Sequence, residues 1–156
     1  FNKLKKIGCG LIISTLAWSG VQAVTLVHLF EFDNNLNDSL SSTVLTDNGG
    51  TINSDSYSFG ANQGVFLDTA LSLADNYSIG IQFSFESVSS WNKIVDFKDR
   101  IPDSGQYILS GKLSFFAPTH TGPGSIQADE FINVVFTRSS IDDVYTAYLN
   151  GSSTSE

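Results

Sequence analysis

Cysteine is almost missing from this 156-residue chain, methionine is missing altogether, and proline occurs only 3 times. The single cysteine, Cys9, stands in the first ten residues. The rest of the chain therefore has no disulfide framework, no cysteine metal ligand and no thiol nucleophile. Only two histidines occur, His28 and His120, and their separation makes neither a metal pair nor a catalytic triad. Basic residues are few: 8 Lys and Arg stand against 16 Asp and Glu, for a net charge of −8. Such a body is a poor partner for phosphate backbones or anionic lipid surfaces, so nucleic-acid binding is excluded. No glycine-rich segment joins a strand to a helix, which leaves "DNGG" and "GPG" as turns and not phosphate loops.

Short apolar stretches punctuated by turn formers fill most of the sequence. In "NYSIGIQFSFES", Tyr77, Ile79, Ile81, Phe83 and Phe85 fall on one face of a strand, and Ser78, Gly80, Gln82 and Ser84 on the other. Further strands are expected at 26–32, 43–46, 57–59, 64–67, 93–97, 106–109, 113–116, 131–137 and 144–149. Asn, Asp, Gly and Ser clusters such as "DNNLNDSLSS" and "RSSIDD" separate them. Many short strands at near-regular spacing, with no internal repeat, indicate an all-β antiparallel sandwich or jelly roll.

The first 23 residues differ in kind. Lys3, Lys5 and Lys6 precede an apolar run from Ile7 to Trp18, which closes on Val21-Gln22-Ala23. Basic, apolar and small-residue zones in that order describe a secretory signal peptide, expected as a helix over 1–23 and cleaved after Ala23. The domain is then 24–156, with no membrane span in the mature segment. Loss of three lysines takes the charge from −8 to −11. The location expected is secreted or on the bacterial cell surface. At the other end, Tyr145, Ala147 and Leu149 alternate up to Asn150-Gly151, a dipeptide suited to a two-residue hairpin turn. No returning strand is legible after it, so the sandwich is expected to be the N-terminal part of a longer, incomplete one.

Five stretches together resemble a known family: "FEFDNNLNDS" (30–39), "YSFGANQGVFLD" (57–68), "NYSIGIQFSFESVSSWNKIVDFKDRIPDSGQYIL" (76–109), "VVFTRSS" (134–140) and "AYLNG" (147–151). In this order they are similar to bacterial LamG-like domains of the concanavalin A-like lectin/glucanase superfamily, including those of secreted proteins with PEP-CTERM-type sorting tails. The resemblance implies a jelly-roll sandwich used for carbohydrate or extracellular protein and matrix binding, adhesion or display. It also implies a comparison with glucanases of the superfamily, whose acid strand reads E-x-D-x-x-E or E-x-D-x-E. Glu31 and Asp33 match its first two acids, whereas Asn35 and Leu36 occupy the place of the third. A retaining glycosidase needs two carboxyl groups about 5–5.5 Å apart, so the function expected is a non-catalytic binding or structural module. The alternative is part of a glucanase-like enzyme with catalytic residues beyond Glu156.

Two further sites follow from the residues. "DNNLND" gathers oxygen donors suited to calcium, with Asp33, Asn37 and Asp38 as the metal candidates; the same side chains can instead cap their own loop. In "SSWNKIVDFKDR", Trp91 either caps the core or offers a sugar-stacking face, and Asp96 and Lys98 read as polar pairs within a sheet.

Overall fold

The computed structural model describes residues 2–12, 24–68, 76–97, 105–116, 120–122, 125–139 and 144–155. Among these residues every regular element is a strand, and no helix is long and apolar enough to cross a membrane. In chain order they are β1 (Asn2–Ile12), β2 (Val24–Phe30), β3 (Thr46–Asn48), β4 (Thr51–Ile52), β5 (Tyr57–Phe59), β6 (Gly64–Phe66) and β7 (Tyr77–Ser84). There follow β8 (Trp91–Val95), β9 (Gly105–Leu109), β10 (Lys112–Phe116), β11 (His120–Thr121), β12 (Ile132–Ser139), β13 (Val144–Leu149) and β14 (Ser152–Ser155). An eight-stranded sheet runs β14-β13-β12-β7-β1-β5-β4, with β2 also paired to β1. A four-stranded sheet runs β11-β10-β9-β8, and β3 pairs with β6. All the pairings are antiparallel.

The alternation in "YSIGIQFS" explains the architecture. Tyr77, Ile79, Ile81 and Phe83 are buried while the residues between them stay half-buried up to Ser84, as a strand with one face in a core requires. Register places Ile81 opposite Val134 and Ile79 opposite Phe136, with Phe136 opposite Ala147 on the next strand. Ile108 of β9 and Leu113 of β10 join these side chains in one apolar cluster. Phe115 stands edge-on to Phe136 at 6.1 Å and to Tyr145 at 5.2 Å, so the two sheets meet through edge-to-face ring contacts. Each large side chain removed from water here contributes about 1.5–3 kcal/mol. The result is sandwich-like, two antiparallel sheets closing on a shared core.

A smaller cluster of Phe30, Phe32, Leu45 and Tyr57 lies below the β2 end. Phe32 reaches it by adopting φ 58, a left-handed conformation unusual for a bulky residue. That kink ends β2 at Phe30, two residues before the strand expected at 26–32. The Tyr57 hydroxyl accepts from the Gly50 amide at 2.9 Å and donates to Asp47, with the Gly64 carbonyl oxygen 2.7 Å away. Burial, then the Asp47 bond, pushes its phenol up to about 12.

Two expectations change. The segment expected as a leader helix contains β1 over Asn2–Ile12, while 13–23 lie outside the described residues. The reason is that both edges of this segment find backbone partners: β7 on one side, β5 and then β2 on the other. Leu4 and Ile7 pack against both apolar clusters. The register shifts between Leu4 and Lys6, and Lys5 lies 3.3 Å from Asp55 and 4.6 Å above the Phe131 ring. Secondly, a returning strand does follow Asn150-Gly151. Both residues take positive φ, 48 and 85, and Ser152–Ser155 pairs back onto β13. Polar Ser and Thr hid this strand, because an edge can be built by ladder bonds without an apolar face.

Gly50 and Gly64 test the packing around Tyr57. A Cβ on Gly50 would fall on the Tyr57 ring and 2.6 Å from the Ser58 carbonyl oxygen, whereas one on Gly64 meets nothing within 4 Å. Gly50→Ala is expected to destabilise the fold by about 2 kcal/mol. Gly64→Ala should stay within about 0.5 kcal/mol of the parent in the same denaturant titration.

Candidate functional site

The acids nearest a hydrolase pattern do not share a strand. Glu31 and Asp33 follow the end of β2, and Phe32 between them turns through φ 58, which breaks the alternation that aims an E-x-D pair from one strand face. Glu31 Oε2 accepts from Ser39 Oγ at 2.9 Å, and Asp33 is exposed. Beyond them the Asx-rich loop bonds to itself: Asn35 Nδ2 donates to the Asp33 carbonyl oxygen at 2.7 Å, and the Asn37 amide donates to Asn35 Oδ1 at 2.8 Å.

Asp38 is the buried charge of this region. Its Oδ1 accepts from the amides of Leu29 at 2.8 Å and Leu40 at 3.0 Å. Its Oδ2 accepts from Ser41 Oγ at 2.5 Å and lies 2.6 Å from His28 Nδ1. Burial by itself would push this carboxyl up. The bonds from Ser41, Leu29, His28 and Leu40 outweigh burial and hold it well below the usual carboxylate range. Both oxygens are thus engaged, by the loop and by the end of β2. Of the three calcium candidates, Asp33 and Asn37 are exposed on the same loop, while Asp38 is turned inward to tie that loop to β2. Among the described residues no group of three His, Cys, Asp or Glu is placed to hold a metal ion.

Trp91 sits on the opposite sheet. It opens β8 opposite Leu109, with Lys93 opposite Tyr107, Tyr107 opposite Ser114, and Phe116 opposite Gly105. These pairings gather three rings on one side of the four-stranded sheet. Trp91 meets Tyr107 at 5.3 Å and 88°, and Phe116 at 5.7 Å and 78°, both edge-on. Tyr107 is buried beneath the pair, whereas Trp91 is 43% and Phe116 38% exposed. Lys93 Nζ lies 5.1 Å above the Tyr107 ring and 2.6 Å from Asp96 Oδ2. Two open ring surfaces therefore stand beside an ammonium–carboxylate pair, with Trp91, Lys93 and Phe116 on strands of the sheet and Asp96 just past the end of β8. Asp96, expected to pair with a neighbouring strand, bonds to Lys93 three residues before it, while Lys98 lies outside the described residues.

Phe116 and Tyr107 were not singled out by sequence, although a signal was present. Ser110-Gly111 is a two-residue turn with φ 49 and 75, and reading it as a hairpin fixes the register that sets Tyr107 beside Ser114 and Phe116 near Trp91. A shallow depression of about 260 Å³ also marks the outer face of the large sheet, lined in part by Leu29, Gly80, Gln82, Asn133 and Val135. Comparison with protein-family models, curated proteins and solved structures finds no match to this chain.

The Asp38 geometry generates a signed prediction. A carboxyl whose pKa is lower folded than unfolded stabilises the fold above its unfolded value, about 4, and that contribution fades as pH falls from there toward the folded value. Asp38→Asn should cost about 2 kcal/mol at pH 7, the scale of charge-assisted bonds lost in a buried site. The gap between variant and parent should narrow in urea titrations carried from pH 5 to pH 2. A constant gap would show that the ionised carboxylate is not what holds the loop.

Proposed function

We propose that this chain is an exported, non-catalytic binding module, a LamG-like jelly roll, which takes carbohydrate on the Trp91–Phe116 face. The observation that carries the reading is the pair of exposed rings held edge-on over Tyr107 with Lys93–Asp96 beside them. A pyranose presents an apolar C–H face that stacks on an aromatic ring, and hydroxyls that both donate and accept hydrogen bonds. Trp91 and Phe116 supply the apolar surface, Lys93 the donor and Asp96 the acceptor. Packing of Trp91 against Tyr107 and Phe116 limits its rotamers before any ligand arrives, which lowers the entropy lost on binding. The net charge of −8 makes a neutral ligand a better fit than phosphate or nucleic acid. The kink at Phe32 weighs against Glu31 and Asp33 as a glucanase acid strand; the alternative, a glucanase-like enzyme with catalytic residues beyond Glu156, is tested by hydrolysis assays on the longer reading frame.

Titration of neutral β-linked and α-linked oligosaccharides, followed by tryptophan fluorescence and calorimetry, tests this. Binding with a dissociation constant in the micromolar to millimolar range is expected, weakened at least tenfold in Trp91→Ala and in Phe116→Ala. Both variants should keep the parent's unfolding free energy within about 1 kcal/mol, because the rings lie at the surface. Equal affinity in Trp91→Ala would remove this face as the site. The export part is tested apart from it, by N-terminal sequencing of protein recovered outside the cell: a start at Val24 supports a leader, and a retained Phe1 removes it.

A further inference from the structure

The slot that β1 fills has an unusual geometry. β1 is antiparallel to β7 on one side and to β2 on the other, so β2 and β7 run parallel to each other with β1 between them. Register sets Ile7 opposite both Ile81 and Phe30, and Gly8 opposite both Gly80 and Leu29. One face of the slot is therefore apolar and joined to the two core clusters through Leu4 and Ile7, while the other carries glycine. At the near end Asn2 Oδ1 accepts from the Glu86 amide at 3.1 Å. The same eleven residues carry the three lysines and the start of the apolar run that mark a leader. A segment cannot serve as a covalent part of the sheet and also be cut away, unless the slot has an affinity of its own for a strand.

We propose that the gap between β7 and the β2/β5 edge is a strand-acceptor site, and that Asn2–Ile12 is its occupant by complementarity and not by chain connection alone. Removal of β1 would leave the β7 edge with unpaired amides and carbonyls. β2 cannot replace it without a shift, because it would meet β7 as a parallel partner in a new register. An open edge beside an uncovered apolar stripe captures an extended peptide by backbone pairing, and specificity comes from alternate side chains. The peptide that fits is antiparallel to β7, with leucine or isoleucine inward at the Leu4 and Ile7 positions and glycine outward at the Gly8 position. The segment Asn2–Ile12 of this chain has that pattern, so it should stay seated after the backbone behind it is cut, and should be replaceable by the same sequence added as a free peptide.

The first arm uses the intact chain. Amide hydrogen exchange should protect β1 within about tenfold of β7, and unprotected β1 amides would overturn the proposal. Ile7→Asp should lower protection of both β1 and β7 at least tenfold, while Lys3→Ala, on an exposed side chain, should change it less than twofold. The second arm inserts a site-specific protease sequence between Ile13 and Ala23 and cuts the folded protein. On size exclusion the N-terminal piece should co-elute with the remainder, and excess labelled Asn2–Ile12 peptide should displace it at one copy per domain. An Ile7→Asp peptide should compete at least tenfold less well. Immediate separation of the piece, with the remainder's unfolding transition unchanged, would show that the slot holds no strand by itself. Unprotected β1 amides overturn the proposal even where cleavage fails, whereas protection has to be joined by retention of the cut piece or capture of the added peptide. Trp91→Ala should leave every one of these readouts unchanged, so failure of the carbohydrate reading and failure of the acceptor slot are separable.

Discussion

The inward face of β7 is the constraint on which the rest of this structure depends. Four large side chains, Tyr77, Ile79, Ile81 and Phe83, alternate along eight residues and must leave water together. A strand offers only two hydrogen-bonding edges, and burial of its face requires both to be satisfied within the protein. β1 and β12 take the two edges, and the four-stranded sheet covers the face with Ile108, Leu113 and Phe115. The remaining strands extend this arrangement outward. Polar groups inside it form a small network: Gln106 Nε2 donates to the Tyr145 hydroxyl at 2.9 Å, and that hydroxyl pairs with Tyr77 at 2.9 Å. Burial, with Tyr77 next, raises the Tyr145 phenol well above its usual value.

How much of this was legible depended on the kind of signal. β7 and β13 were read from alternation, since β7 buries one face and β13 turns Tyr145, Ala147 and Leu149 toward the core, with Ala147 buried. The strand β1 was not legible in the sequence, for a physical reason. Its composition, lysines followed by apolar residues, is that of a leader, and local composition says nothing of the long-range partners that make a strand. The register shift at Lys5 also breaks the period-two pattern that would have flagged it. Short edge elements such as β4 and β14 were missed because Thr and Ser contribute ladder bonds without an apolar period.

The candidate sites show the same division. Asp38 was read from its neighbours in "DNNLND" as a metal candidate or a cap of its own loop; its bonds to His28 and Leu29, ten and nine residues away, cross a turn that sequence spacing does not fix. Trp91 was read alone. Its meaning comes from Tyr107 and Phe116, which only the β8–β9–β10 register brings beside it. The two regions also divide the physical work. Asp38 ties a polar loop to the β2 end, whereas the Trp91 face leaves part of two rings in water.

The central claim is that the two sheets share one core, with rings of the smaller sheet set against those of the larger. A double-mutant cycle between Phe115 and Phe136 measures that contact directly, with Phe115→Leu, Phe136→Leu and the pair compared by urea unfolding. Edge-to-face rings 6.1 Å apart should give a coupling energy of about 1 kcal/mol. Additive effects, with no coupling within error, would mean that the two sheets do not pack against each other through these side chains.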